Sequence, residues 1–277
     1  MPLRRTTRTA AHLACVGLLL AGCSSTSSRK THSTPTAPAP PTAPAAPTAK
    51  SAPAAPIALS DWSLILPVNA DGAPTGKAAS ISPAVLKAPW LTEGPDHSLT
   101  FWAPAGAAKT ANSQHSRTEL VHRTDFAGGT GTHTMHAELT VDQAPDSQNI
   151  IVGQIHGGGA IAAVPFVMLH YRAGTIDVEV KQARSGSQGH DFKLLTGVSP
   201  HTRFSYDITA GPGDRLSFTA TDVPAGTSGS ADTTLPAPFE GADLRFAAGD
   251  YEQDIDSSAP GIDGGRVTFT TLTVTNS

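Results

Sequence analysis

Arg266-Val-Thr-Phe-Thr-Thr-Leu-Thr-Val-Thr-Asn276 alternates apolar and polar residues with a period of two, the pattern of a strand with one face in a core. The alternation slips once: Val267 and Phe269 agree, and so do Leu272 and Val274, but the two pairs are out of phase. One extra residue near Thr270–Thr271 therefore predicts a β-bulge. The same period recurs upstream. In Asp61-Trp-Ser-Leu-Ile-Leu-Pro67 it places Trp62, Leu64 and Leu66 on one face, and in residues 175–180 it does so for Ile176, Val178 and Val180. Residues 98–103, 133–141, 164–171, 203–210 and 215–220 read as further strands. Between them lie turn clusters at Gly128-Gly129, Gly211-Pro212-Gly213 and Gly226-Thr-Ser-Gly229. No window of helical length carries an apolar period of 3.6, and no internal repeat is present. The fold class is all-β, two antiparallel sheets packed as a β-jelly roll.

Working outward, the start of the chain is different in kind. Residues 1–23 run from Arg4, Arg5 and Arg8 through an apolar stretch to Leu20-Ala21-Gly22-Cys23, the pattern of a bacterial export signal ending in a lipobox cysteine. The apolar run is too short for a spanning helix. Cys23 is then the lipidated first residue of the mature protein, which predicts an exported lipoprotein held at the membrane. The other cysteine, Cys15, lies inside the signal, so thiol catalysis, cysteine-ligated zinc and disulfides are excluded for the mature domain. Residues 24–56 are almost entirely Ser, Thr, Pro and Ala and read as an extended tether. The folded unit is expected over 57–277, acting as a monomer. The net charge of −4, with no basic cluster beyond the signal, makes nucleic acid a poor partner, whereas a local cationic groove still suits an acidic polymer.

Three strands carry polar residues that do not fit a core. In Ser113-Gln-His-Ser-Arg-Thr-Glu-Leu-Val-His-Arg123, the residues Arg117, Glu119, Val121 and Arg123 share a face opposite Thr118, Leu120 and His122. An Arg and a Glu two apart on one face can lock each other's geometry, although such a pair also suits a solvated surface. In Asn149-Ile-Ile-Val-Gly-Gln-Ile-His-Gly-Gly-Gly159, Gln154 and His156 share a face, and the glycines keep the strand's end slim beside a cleft. In Arg245-Phe-Ala-Ala-Gly-Asp-Tyr-Glu-Gln253, Tyr251 and Gln253 share a face with Ala247 and Gly249, whose small size leaves room in front of them.

Together these strands offer Arg, Gln, His and Tyr, a set suited to β-elimination from a uronic-acid polymer. The C5 proton sits beside a carboxylate that must take up more negative charge as the proton leaves. Arg and Gln can hydrogen-bond that carboxylate and stabilise the developing dianion. A Tyr or His removes the proton and delivers one to the departing O4.

Arg117-Thr-Glu-Leu-Val121, Gln154-Ile-His156 and Arg245–Gln253 resemble, in order and spacing, the R-[ST]-E-[LV]-R, Q-[IV]-H and Y-F-K-A-G-x-Y-x-Q strands of polysaccharide lyase family 7, the alginate lyases. The resemblance covers essentially all of 57–277. It implies a cleft across the concave sheet, no metal or cofactor, and an anionic polysaccharide as partner. It implies that Arg117, Gln154 and His156 neutralise the uronate carboxylate, with His156 the base for one C5 epimer. Tyr251 would be the acid, and for the other epimer also the base. Glu119 and Gln253 would contact substrate, and Arg245 or Arg123 would substitute for the two basic residues that the pattern has and this chain lacks. Two positions depart from the pattern: Val121 stands where the family has Arg, and Ala247 where it has Lys. That leaves alginate and other uronans, such as glucuronan, open, although Q-I-H tends to accompany action on guluronate linkages. The alternative on the same fold is a carbohydrate-binding surface lipoprotein without turnover. A jelly-roll glycosidase would need two close carboxylates, and no such strand is found. His133 and His136 are three apart on one strand and face opposite ways, and residues 254–265 lack the glycine and closing Glu of a calcium loop.

Overall fold

The computed structural model describes residues 55–257 and 259–277; the export signal, Cys23 and most of the Pro-rich tether lie outside the described residues. Sixteen strands run in chain order as β1 (Trp62–Ile65), β2 (Ser80–Ile81), β3 (Leu91–Glu93), β4 (Leu99–Pro104), β5 (Thr118–His122), β6 (Phe126–Ala127), β7 (His133–Gln143) and β8 (Asn149–Gly157). They continue as β9 (Pro165–Arg172), β10 (Thr175–Lys181), β11 (Gly189–Leu195), β12 (Phe204–Ala210), β13 (Arg215–Asp222), β14 (Thr227–Thr234), β15 (Asp243–Glu252) and β16 (Gly264–Asn276). Helix among the described residues is confined to three 3-10 turns of three residues each.

Two antiparallel sheets hold these strands. One has the order β11-β10-β9-β8-β15-β5-β1-β2, with β6 also paired to β15; the other has the order β14-β13-β12-β7-β16-β4-β3. The chain is therefore a two-sheet β-jelly roll, as the alternation predicts. Trp62, Leu64 and Leu66 are buried, as are Ile176, Val178 and Val180, each set on the face turned to the opposite sheet. Tyr206, Phe101, Phe204, Phe218 and Phe269 fill the space between the sheets. The slip in β16 is real: its register against β7 shifts between Phe269 and Thr271.

Two sequence expectations change, and one strand is added. Residues 226–229 are not simply a turn, because Thr227, Ser228 and Gly229 open the edge strand β14, whose small polar residues give no apolar alternation. β11 was likewise hidden, its first residues being mostly exposed. The glycines after His156 are explained by close packing. A side chain at Gly157 would strike the Ile161 carbonyl, and one at Gly158 would strike the Asp125 carboxylate.

Candidate active site

The outer face of the first sheet carries the site. Across it, Ser63, Val121, Ala247, Gln154 and Met168 fall in one cross-strand row from β1 through β5, β15 and β8 to β9. All five line a single cavity of about 670 Å³. Arg117, Glu119, Arg123, His156, Arg245, Tyr251 and Gln253 line the same cavity, so every site residue expected from the sequence within the folded part is gathered there.

Glu119 is the hub. Its Oε2 accepts a hydrogen bond from Arg117 Nη1 at 2.9 Å, and its Oε1 accepts one from Gln154 Nε2. A carboxylate only accepts, so the Gln154 amide must turn its nitrogen to Glu119, leaving a second N–H and Oε1 for other partners. All three side chains are buried, and Arg117 Nε and Gln154 Oε1 have no hydrogen-bond partner among the described residues. Gln154 and Glu119 sit on strands separated by β15. They meet because β15 presents only the Ala247 methyl between them.

Gly249 itself does something other than make room in the cleft. It has φ +152°, and a Cβ there would lie 2.5 Å from the Thr118 carbonyl oxygen and 2.8 Å from Glu119 Cα. The glycine permits a bulge in β15 between Ala248 and Tyr251 that brings β15 against β5.

Beyond the bulge stands Tyr251. The Arg117 guanidinium lies over its ring, 3.4 Å from the centroid. Its hydroxyl is 3.0 Å from Ser113 Oγ, a contact 138 residues away in sequence and one that sequence reasoning missed. His156 donates Nδ1–H to the Gly157 carbonyl at 3.2 Å, which leaves Nε2 as the nitrogen with a free lone pair. Burial holds the pKa of His156 below the ordinary histidine value, with Arg117 and Arg245 adding to the effect against the Gly157 carbonyl and Glu119. The ring is therefore neutral near pH 7 and fit to accept a proton.

The outlying residues are more constrained than expected. Arg245 is held by Asp125, with Nη2 3.0 Å from Oδ2 and Nε 2.9 Å from Oδ1. Arg123 is exposed and donates to the Ser60 carbonyl at 2.9 Å. Gln253 folds its amide back onto the carbonyls of Tyr251 and Glu252. Among the described residues no cluster of three or more His, Asp or Glu is arranged to hold a metal ion.

Comparison with known proteins follows this geometry. The family model described as alginate lyase matches residues 57–276. A search of curated proteins gives no match. Among solved structures, an alginate lyase from Pseudomonas aeruginosa superposes with a TM-score of 0.68 at 24% identity, covering 80% of this chain and 100% of that one. The alginate lyase A1-II', a member of polysaccharide lyase family 7, superposes with a TM-score of 0.65 at 26% identity, covering 79% of this chain and 96% of that one. A double variant of A1-II', with a His changed to Asn and a Tyr to Phe, was solved in complex with the substrate GGMG. It superposes with a TM-score of 0.66 at 25% identity, covering 79% of this chain and 94% of that one.

Proposed function

This chain belongs to the alginate lyase family and is a polysaccharide lyase, and from that premise we propose how its cleft cuts a 1,4-linked uronic-acid polymer, alginate or a related uronan. The observation that carries the reading is the convergence of Tyr251, His156, Gln154 and Arg117 on one cavity, with Glu119 fixing two of the four.

The uronate carboxylate binds to the N–H groups that Arg117 and Gln154 do not give to Glu119. Glu119 orients them, and each of its oxygens keeps a second acceptor position for a sugar hydroxyl. His156 Nε2 takes the C5 proton when that proton faces it; for the other epimer Tyr251, entering as the phenolate, takes it and so becomes the phenol. The C5–H electron pair becomes the C4=C5 double bond, the C4–O4 bond breaks, and O4 takes the phenolic proton of Tyr251. The product is a 4,5-unsaturated uronate end. Arg117 and Gln154 are most useful as the carboxylate gains charge, which is where stabilisation accelerates the step.

Val121 and Ala247 are direct cross-strand neighbours, so this part of the cleft floor carries no charge. Alginate and glucuronan are therefore both retained as substrates to be tried. The test is to incubate the protein with poly-guluronate, poly-mannuronate, mixed alginate and glucuronan and follow the ultraviolet absorbance of the unsaturated product. Absorbance should rise on at least one of them, and Tyr251→Phe should remove nearly all of the rise, leaving a small residual rate, while the polymer still binds. Binding without product on every uronan would instead support the non-catalytic carbohydrate-binding reading.

Export and membrane anchoring at Cys23 form the second part of the proposal, supported by the basic start, apolar run and lipobox of residues 1–23. Labelled palmitate should enter the protein in cells and be lost in Cys23→Ala; unchanged labelling would defeat the anchor.

A further inference from the structure

We propose that Ser113 is a positioning residue for proton transfer at Tyr251: its hydroxyl receives a hydrogen bond from Tyr251 whenever that side chain is the phenol and donates one whenever it is the phenolate. The proposal rests on the lyase reading above. It starts from a count of hydrogens. Ser113 Oγ lies 2.8 Å from the His115 carbonyl oxygen, 3.0 Å from the His115 backbone nitrogen and 3.0 Å from Tyr251 Oη. A hydroxyl has one proton and two acceptor positions. The His115 N–H can only donate, and the His115 carbonyl can only accept. With the Ser113 proton on that carbonyl, the remaining lone pair faces Tyr251, which must then be the donor.

That arrangement fits a protonated Tyr251 and no other. Once the phenol has given its proton to O4, the phenolate oxygen needs a donor. Rotation about the Ser113 Cβ–Oγ bond supplies one, moving the hydroxyl proton from the His115 carbonyl to Tyr251 Oη while His115 N–H stays in place. No atom other than that hydrogen moves. In the elimination step the C5–H pair forms C4=C5, the C4–O4 pair leaves with O4, and O4 is protonated by Tyr251. The Ser113 proton is not transferred, so the reaction's balance is unchanged.

The loop is tied where this function needs it. Ser116 donates both its backbone N–H and its hydroxyl to Glu252 Oε1, at 3.0 and 2.9 Å. His115 Nδ1 is 3.1 Å from the Asp254 carbonyl, and its ring packs edge-on to Tyr251 at 6.2 Å. The segment carrying Ser113 is thus fastened just beyond Tyr251, at Glu252, the last residue of β15, and at Asp254 after it. The Arg117 guanidinium against the ring face is a second donor-side partner for the same charge.

The experiment compares steady-state kinetics of the full chain with Ser113→Ala, Ser113→Cys and Ser113→Thr on whichever uronan the wild type cleaves, each variant checked for wild-type thermal unfolding. Loss of one hydrogen bond to a charged oxygen is expected to lower kcat by about 10- to 100-fold for Ala. Cys, a weak donor, should behave like Ala, and Thr should restore kcat to within about threefold; KM should move less than twofold in all three. In a Tyr251→Phe background, Ser113→Ala should cost nothing further. A fall that is additive with Tyr251→Phe, or one carried mainly in KM, would overturn the proposal in favour of a loop-shaping role. If Ala unfolds, Cys and Thr decide it: equal activity of the two would overturn it. A wild type silent on every uronan would instead remove the lyase reading, before any variant is compared.

Discussion

At the scale of single residues, the site is organised around one buried carboxylate. Arg117 and Glu119 are both out of water, and a buried ion pair is retained at a desolvation cost that only good geometry offsets. Here the geometry includes a third member, Gln154, so the pair serves to present two donors toward the cleft. Histidine 156 shows the same principle in reverse: burial keeps it uncharged rather than paired. A base must be unprotonated, and the lowered pKa of His156 keeps it so at acidities where an ordinary histidine is half charged. For a substrate whose C5 proton faces His156, the acid limb of kcat/KM should therefore have its midpoint below 6.5, the value for an ordinary histidine. His156→Gln should remove that acid limb together with most of the rate. A limb at or above 6.5 that survives in His156→Gln would belong elsewhere. Glu252 is the nearest candidate, since burial pushes its pKa up to about 7 against the hydrogen bonds from Asp254 and Ser116.

At the scale of strands, β15 matters for what it leaves out. It lies between β5 and β8, and strands are about 4.8 Å apart, so Glu119 and Gln154 face each other across roughly 10 Å of backbone. Only a strand with a side chain as small as that of Ala247 at that point lets them touch. Ala247→Leu should fill the gap and separate Gln154 from Glu119. We expect kcat/KM to fall by at least about tenfold, with overpacking costing about 1–3 kcal/mol of stability. Gly249→Ala should do the opposite kind of harm, since a Cβ would meet Thr118 and Glu119 backbone at a φ foreign to alanine. Its expected loss of about 2–4 kcal/mol should appear first as a lowered Tm. The small residues of this strand were legible in the sequence, and so was the shared face of Arg117 with Glu119 and of Gln154 with His156, because period-two alternation reports faces directly. Alternation also disclosed the bulge in β16, where apolar residues mark the phase. It could not disclose the contact of Gln154 with Glu119, which depends on strand order, nor Ser113, which reaches Tyr251 from a loop with no period at all. β14 escaped for a third reason: at an edge, with exposed small polar residues, nothing marks an inward face.

At the scale of the molecule, an acidic protein has to take hold of an acidic chain. Arg4, Arg5, Arg8, Arg29, Lys30 and Lys50 are unmatched by any acid before residue 55, so the folded part is more acidic than the −4 of the whole sequence. The cleft's cations do little to reverse this at long range. Arg117 is paired with Glu119 and Arg245 with Asp125, which leaves exposed Arg123 as the lining arginine without a carboxylate partner. A uronan therefore meets net repulsion at distance and attraction only within hydrogen-bond reach. Added salt screens the first more than the second, because the Debye length is about 8 Å at 0.15 M while buried contacts are screened far less. The expected result is that kcat/KM on long polymer rises by about two- to tenfold between 0.01 and 0.15 M NaCl, with a smaller rise on a short oligomer that carries fewer charges. A cleft that steered its substrate by a positive field would give the opposite slope, with rates falling steadily as salt is added. Measuring the slope on two chain lengths separates the cases, since whole-molecule repulsion scales with polymer charge and the contacts to a single uronate do not.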